Sequence, residues 1–390
     1  MTNSDTMHRR HFLALTGAAA MASPALAKSQ RTDWQREFGD YVSGQLTATN
    51  TPGVGVAMVR GGRTVFSAGY GYADVEKARR VTPDTVFQIA SVSKTVTATA
   101  LMMLWDDGAF KLDAPIAPLL DFAVVNPNFP KVPVTFRQLF THTSSISDGV
   151  YDGLDFSTGD LPSLHDFLAG YLFPGGKWYD ASKCFSDTRP GGAWSYSNVA
   201  VALLGYLGER LSGKPLDEFT RERIFTPLGM HDTSWRYEGV SDDRLAQPYD
   251  FADVHFKRLP RARYPDWPAG LLCTSANDFA RFLSIYTQGG TANGHAFLKP
   301  ETIGAMFTPA PVAVNSKSPG LQQGLIWELA PMGDATIALH PGGDPGSATL
   351  AAVDTAHGTA ALCFANITPN KSKLPFEKEI IRRLIERGNA

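Results

Sequence analysis

Ser91 and Lys94, three positions apart, have the types and spacing for nucleophilic chemistry. They follow Val86-Phe87-Gln88-Ile89-Ala90 and lead into Thr95 to Trp105, a stretch that reads as a buried helix. Positions three apart on a helix share a face, one turn apart, so the Lys94 amine can reach the Ser91 hydroxyl. A serine hydroxyl is a poor nucleophile until a base takes its proton, and a desolvated lysine amine can be that base. The helix N-terminus adds N–H groups and partial positive charge where an oxyanion would form. Ser-x-x-Lys also arises about once by chance in a chain of this length, so the pair takes its meaning from context.

Two further segments carry usable chemistry. Trp194-Ser195-Tyr196-Ser197-Asn198 follows Pro190-Gly191-Gly192 and precedes an apolar helical run. Tyr196 and Asn198 on a tight turn offer a phenol and an amide to a cleft, yet Ser197 and Asn198 equally suit a helix N-cap. His340-Pro341-Gly342-Gly343-Asp344-Pro345-Gly346 ends one strand-like segment and leads into another. Its glycines allow a strand edge to approach a ligand closely, or mark a hairpin turn beside an incidental histidine.

The elements that must hold these residues follow from periodicity. Residues 33–47 read as an amphipathic helix with Trp34, Phe38, Tyr41 and Val42 on one side. Val54 to Arg60 and Arg63 to Tyr70 read as strands joined by Gly61-Gly62, a hairpin signature. Val199 to Ser212 is apolar nearly all round and reads as a buried helix stopped by Gly213 and Pro215. Ser275 and Asp278 pair as a cap for a helix striped with Phe279, Phe282, Leu283 and Tyr286. Strand patterns return at Gly324 to Leu329, Ala335 to His340, Ser347 to Val353 and Thr359 to Ile367, and Pro375 opens a last helix. Strands at both ends of the chain with helices between predict an α+β fold. It has one antiparallel sheet built from both ends, flanked by the terminal helices (about 33–90 and 320–390), and a helical lobe over about 91–319. Ser91 then lies between sheet and lobe, where pockets are common.

The chain has 390 residues, is 43% hydrophobic and carries a formal charge of −2, an ordinary globular composition with no charge excess to draw nucleic acid or an anionic membrane. Arg9-Arg10-His11-Phe12-Leu13, the apolar stretch to Ala22 and Ala25-Leu26-Ala27 form a twin-arginine signal pattern ending in an A-x-A site. The apolar run is too short for a membrane span. The expectation is export to a bacterial periplasm, cleavage after Ala27, and a single mature domain over 28–390 that does not touch membrane. The periplasm permits disulfides, and of the three cysteines Cys184 and Cys273 are a possible bridge. No Cys/His spacing suggests zinc, so no metal is expected. The aromatics between Asp148 and Gly192 (Tyr151, Phe156, Phe167, Tyr171, Phe173, Trp178, Tyr179) are either a cap over the cleft or a packing layer. Lys257, Arg258, Arg261 and Arg263 read as a solvated loop.

Taken in order, Ser-x-x-Lys, Tyr-x-Asn and His-x-Gly on a late strand resemble the serine β-lactamase and penicillin-binding-protein superfamily. The nearest resemblance is to its class C β-lactamase-like branch of family VIII carboxylesterases, D-alanyl-D-alanine carboxypeptidases and D-aminopeptidases. Leu139-Phe140-Thr141-His142-Thr143-Ser144-Ser145, Phe225 to Met230 and Pro268 to Ser275 match in style, so the resemblance runs over roughly 35–385. It implies that Ser91 is acylated, that Lys94 and Tyr196 move its proton, and that the N–H groups of Ser91 and Gly343 form the oxyanion hole. It further implies that Asn198, His340, Gly342 and Trp194 meet substrate, and that no cofactor is needed. β-Lactamases carry lysine where this chain has His340, so esterolysis is expected over β-lactam hydrolysis, with His340 gaining charge as pH falls toward 6. The substrate is then a small ester. A short peptide containing D-amino acids and a penicillin-binding sensor that acylates and stalls remain as alternatives; oligomeric state is not legible.

Overall fold

The computed structural model describes residues 32–156, 158–314, 319–369 and 376–390. The expected signal segment and Pro375 lie outside the described residues.

Helix α1 (Asp33–Thr49) starts at Thr32, whose side chain and that of Gln35 bond each other's backbone N–H in a capping box, and ends at left-handed Asn50. It packs Phe38, Val42 and Leu46 onto the sheet. The sheet has eight strands: β1 (Gly53–Arg60), β2 (Arg63–Asp74), β3 (Arg79–Arg80), β4 (Gln322–Gln323), β5 (Glu328–Met332), β6 (Ala335–Asp344), β7 (Ser347–Asp354) and β8 (Thr359–Ala365). Their order is β4-β5-β6-β7-β8-β1-β2-β3, antiparallel throughout. β1 pairs with β8, Val56 opposite Cys363, so the two ends of the chain meet at the sheet centre as expected.

Alternation along these strands divides the apolar residues between two faces. Val54, Val56, Met58, Ala361, Cys363 and Ala365 meet α1 and the C-terminal helix α5 (Phe376–Asn389), which adds Ile380, Ile381, Leu384 and Ile385. Ala57, Val59, Leu362 and Phe364 face the larger core shared with the middle of the chain. That core holds α2 (Ser93–Asp106), α3 (Asn198–Ser212) and α4 (Ala276–Thr287). Ser275 caps α4 by accepting from Asp278 N at 3.1 Å, and Gly213, at φ 68°, ends α3.

The structure corrects or settles the sequence reading at several points. Gly324 to Trp327 is a turn, with Ile326 at φ 68° and its N–H on Phe140 O, because this apolar run enters the core. The middle also contains a short pairing of Val86–Gln88 with Cys273–Ser275, which fixes the loop before Cys273 beside Ser91. Cys184, Cys273 and Cys363 are buried and unbridged. The possible Cys184–Cys273 bond is absent because Cys184 packs on its own loop, within hydrogen-bond reach of Asp180 N and Trp178 O, while Cys273 sits in the paired strand. Finally, Arg258 is not merely solvated: it pairs with Asp74 and Glu76, and Arg261 pairs with Asp242. Tyr151, Phe156, Phe167, Tyr171 and Trp178 pack against one another and the core, which favours the packing layer over the cap.

Candidate active site

Ser91 sits in a single 3-10 turn, Ala90–Val92, immediately before α2. Ala90 is left-handed at φ 46°, a conformation that costs a non-glycine residue about 1–3 kcal/mol. Its neighbours over-determine it. Ile89 N donates to Leu272 O at 2.9 Å, Ser93 Oγ donates to Ala90 O at 2.6 Å, and Thr349 Oγ1 donates to Ile89 O at 2.8 Å. The turn is thereby clamped between β7 and the 264–272 loop, with the Ser91 side chain half-exposed.

Lys94, 0% exposed, points its Nζ at three acceptors: Ser91 Oγ at 3.0 Å, Asn198 Oδ1 at 2.7 Å and Ala269 O at 2.6 Å. Three acceptors match the three donors of an ammonium. Burial lowers the amine's pKa to about 8; the carboxylates of Asp266, Asp148 and Asp344 pull the other way. Tyr196 neighbours Ser91, and its ring lies 5.0 Å from Lys94 Nζ. Burial pushes its phenol well above the ordinary range, with the Ser91 hydroxyl opposing.

Ser197 resolves the two readings of the Tyr-x-Asn segment. Its Oγ accepts from Ala200 N at 3.0 Å and so caps α3, which leaves the Asn198 side chain to face Lys94. Asp148 braces the same turn. It accepts from Ser197 Oγ at 2.7 Å, Asn198 N at 2.6 Å and Val199 N at 3.2 Å, at a helix N-terminus where negative charge is favoured.

His340 faces the same cluster from β6 but is 1% exposed, with Nδ1 within 2.8 Å of Pro341 O. Burial, reinforced by the Lys94 charge, lowers its pKa to about 3. This corrects the sequence expectation: His340 does not charge as pH falls toward 6. Gly342 is packed tightly, since a Cβ there would lie 2.6 Å from Ile89 O. Register locates the N–H of Gly343. Asp344 pairs with Ser347 across a two-residue turn, so the even-numbered residues exchange bonds with β7. Pro341 and Gly343 turn their backbone groups to the opposite edge, which β5 has already left at Leu339. Proline has no N–H, so Gly343 supplies the donor on that edge. Trp194 lies beside the site, its Nε1 donating to Gln323 Oε1 at 2.9 Å.

Two further residues at the site were not singled out in the sequence. His142 is 1% exposed at φ 53°, stacked 4.5 Å from the Tyr196 ring, with Nδ1 accepting from Ser197 N at 3.3 Å. Burial holds it neutral. Asp266 accepts from Tyr151 Oη at 2.7 Å, and burial raises its pKa to about 7. His142 lies inside the Leu139–Ser145 segment that carries part of the resemblance, and Asp266 stands two residues before Pro268–Ser275; neither segment assigns them a role. Among the described residues no group of three or more His, Cys, Asp or Glu is disposed to hold a metal ion, and no helix is long and apolar enough to cross a membrane.

A clamped serine hydrogen-bonded to a buried lysine, with a tyrosine ring over the amine, on an antiparallel sheet joined to a helical region, define the serine β-lactamase and penicillin-binding-protein class. The chain belongs to the Beta-lactamase family, whose model matches residues 38–384. It is 32% identical over 270 residues to penicillin-binding protein 4 of Amycolatopsis lactamdurans, covering 66% of this chain and 64% of that relative's length. In fold it is similar to EstCE1, a hydrolase with promiscuous acyltransferase activity. The TM-score is 0.73 at 18% identity, covering 90% of this chain and 98% of that one. It is also similar to D-amino acid amidase from Ochrobactrum anthropi SV3, at TM-score 0.71 and 23% identity, covering 90% and 97%.

Proposed function

We propose that this protein is an exported serine hydrolase that acylates Ser91 and cleaves carboxylic esters. The observation that carries the reading is the buried Lys94 amine 3.0 Å from Ser91 Oγ, with the Tyr196 ring 5.0 Å from the same amine. Ser91 Oγ attacks the ester carbonyl and its proton passes to the Tyr196–Lys94 pair. The tetrahedral oxyanion is held between the N–H groups of Ser91 and Gly343. Collapse breaks the ester C–O bond, and the leaving alkoxide takes the proton back through Tyr196. Water then attacks the acyl-enzyme, giving its proton to the same pair. The acid leaves, and Ser91 regains its hydrogen. Asn198, through its Nδ2, and the half-buried Trp194 flank the acyl group.

The preference for esters rests on charge. A β-lactam or a peptide C-terminus presents a carboxylate, and the late-strand position opposite Ser91 carries a neutral, buried imidazole rather than a cation. A cation there would add a charge-assisted bond of about 1.5–3 kcal/mol. Amide cleavage is the second reading, favoured by the fold likeness to D-amino acid amidase. The twin-arginine pattern at Arg9-Arg10 supports export to the periplasm.

The test is turnover of short-chain aryl esters, nitrocefin and D-amino acid amides by wild type and Ser91→Ala. Ester turnover is expected to exceed the other two and to vanish in Ser91→Ala. Full ester turnover by that variant would refute the reading.

A further inference from the structure

The backbone segments that deliver the reacting groups meet in one polar cluster behind them. Gln88 immediately precedes the Ile89–Ala90 strain that presents Ser91. Asp344 follows Gly343 on β6. Tyr264 and Gly270 belong to the loop whose Ala269 carbonyl receives Lys94. Tyr264 Oη donates to Asp344 Oδ2 at 2.8 Å, and Gln88 Nε2 reaches the same oxygen at 3.0 Å. Gln88 Nε2 also lies 2.8 Å from Gly270 O and 3.2 Å from Tyr264 Oη. Ser347 Oγ, across the turn from Asp344, donates to Gln88 O at 2.7 Å. A Cβ on Gly270 would stand 2.5 Å from Tyr264 Oη, so glycine is what allows this approach.

Among the described residues Asp344 bonds Tyr264 and Gln88 rather than Ser91, Lys94 or Tyr196, yet one of its oxygens gathers donors from two of these segments. Burial raises its pKa although Tyr264, Gln88 and Lys94 all oppose the rise, so the carboxylate is kept there against its solvation preference. A displacement of about 1 Å at a reacting group can cost on the order of 10²-fold in rate. A shared acceptor behind three arms is suited to prevent it.

We propose that Asp344 is a positioning residue: by gathering Gln88 and Tyr264 on one oxygen, it fixes the gap between the N–H groups of Ser91 and Gly343 and keeps the Ala269 carbonyl on Lys94. The inference rests on the reading of Ser91 as the acylated nucleophile. It is distinct from substrate recognition, because the loss is expected in kcat rather than KM.

The experiment compares Asp344→Ala, Asp344→Asn and Tyr264→Phe with wild type, full chain, on an uncharged aryl ester, with Ser91→Ala alongside. Asp344→Ala is expected to lower kcat by about 10- to 100-fold with KM within about threefold. Asp344→Asn, whose amide oxygen can accept both donors, is expected to recover most of that loss. Tyr264→Phe is expected to lower kcat less, and the Asp344→Ala/Tyr264→Phe pair to be less than additive. Wild-type kcat in Asp344→Ala, a rise in KM at constant kcat, or an Asn variant no better than Ala would each overturn the proposal. If Ser91→Ala stays active, the hydrolase reading itself has failed. If it is dead while Asp344→Ala is unimpaired, only the role of Asp344 has failed.

Discussion

Lys94 donates to three acceptors and has no exposed surface, so it has no water to share its charge. Its pKa is lowered from 10.5 to about 8, which leaves an appreciable unprotonated fraction near neutral pH, as the proposed role of base requires. The same shift has a sign for stability. The unfolded lysine holds its proton more tightly, so stability from this group is fully present above about pH 10.5 and lost as pH falls through about 8. Wild type is therefore expected to gain stability relative to Lys94→Met as pH is raised across that window, measured by urea unfolding at several pH values. Lys94→Met and Tyr196→Phe are each expected to lower kcat by at least about 10²-fold, and together by less than the product, because they serve one proton. A fully active Tyr196→Phe would reduce the tyrosine to packing beside His142. His340 was legible as a late-strand site residue without lysine's permanent charge, but its staying neutral as pH falls toward 6 was not, because burial is a property of the assembled core.

At the scale of elements, the site depends on how closely β6 approaches the Ser91 turn. Gly342 makes that possible: a Cβ there would meet Thr349 Oγ1 at 2.2 Å and Ile89 O at 2.6 Å. Gly342→Ala must part strand and turn, an overpacking cost of about 1–3 kcal/mol that also opens the oxyanion edge. It is expected to lower both melting temperature and kcat, the latter by about 10-fold or more. Gly304→Ala, exposed in the helix Pro300–Met306 with nothing within 4 Å of the added carbon, is the control: it should leave kcat unchanged and raise the melting temperature slightly, because alanine favours a helix over glycine. Retained activity in Gly342→Ala would show that the edge does not depend on this contact. The hairpins, α1, α3 and α4 were legible because period, caps and glycines agree locally. Gly324–Trp327 was misread as strand because a short apolar run does not distinguish a buried turn from a buried strand.

Over the whole molecule, strand patterns at both ends of the chain foretold a central sheet, and β1 against β8 realises it. Ser91, Tyr196 and His340 were legible as a set because each lies in a motif of its own. Asp148 and Asp266 were not, and Asp344 was read only as part of the glycine-rich turn after His340: a lone aspartate has no spacing to read, and only the fold reveals that all three surround one buried amine. The assembly therefore converges on Ser91, and its acylation is the central claim. The most direct measurement is intact-protein and peptide mass spectrometry after treatment with a fluorophosphonate, and after rapid quenching with an aryl ester. The account predicts one adduct per chain, on the peptide carrying Ser91 and absent from Ser91→Ala. An adduct on Ser93, Ser144 or Ser197, or one that persists in Ser91→Ala, would contradict it.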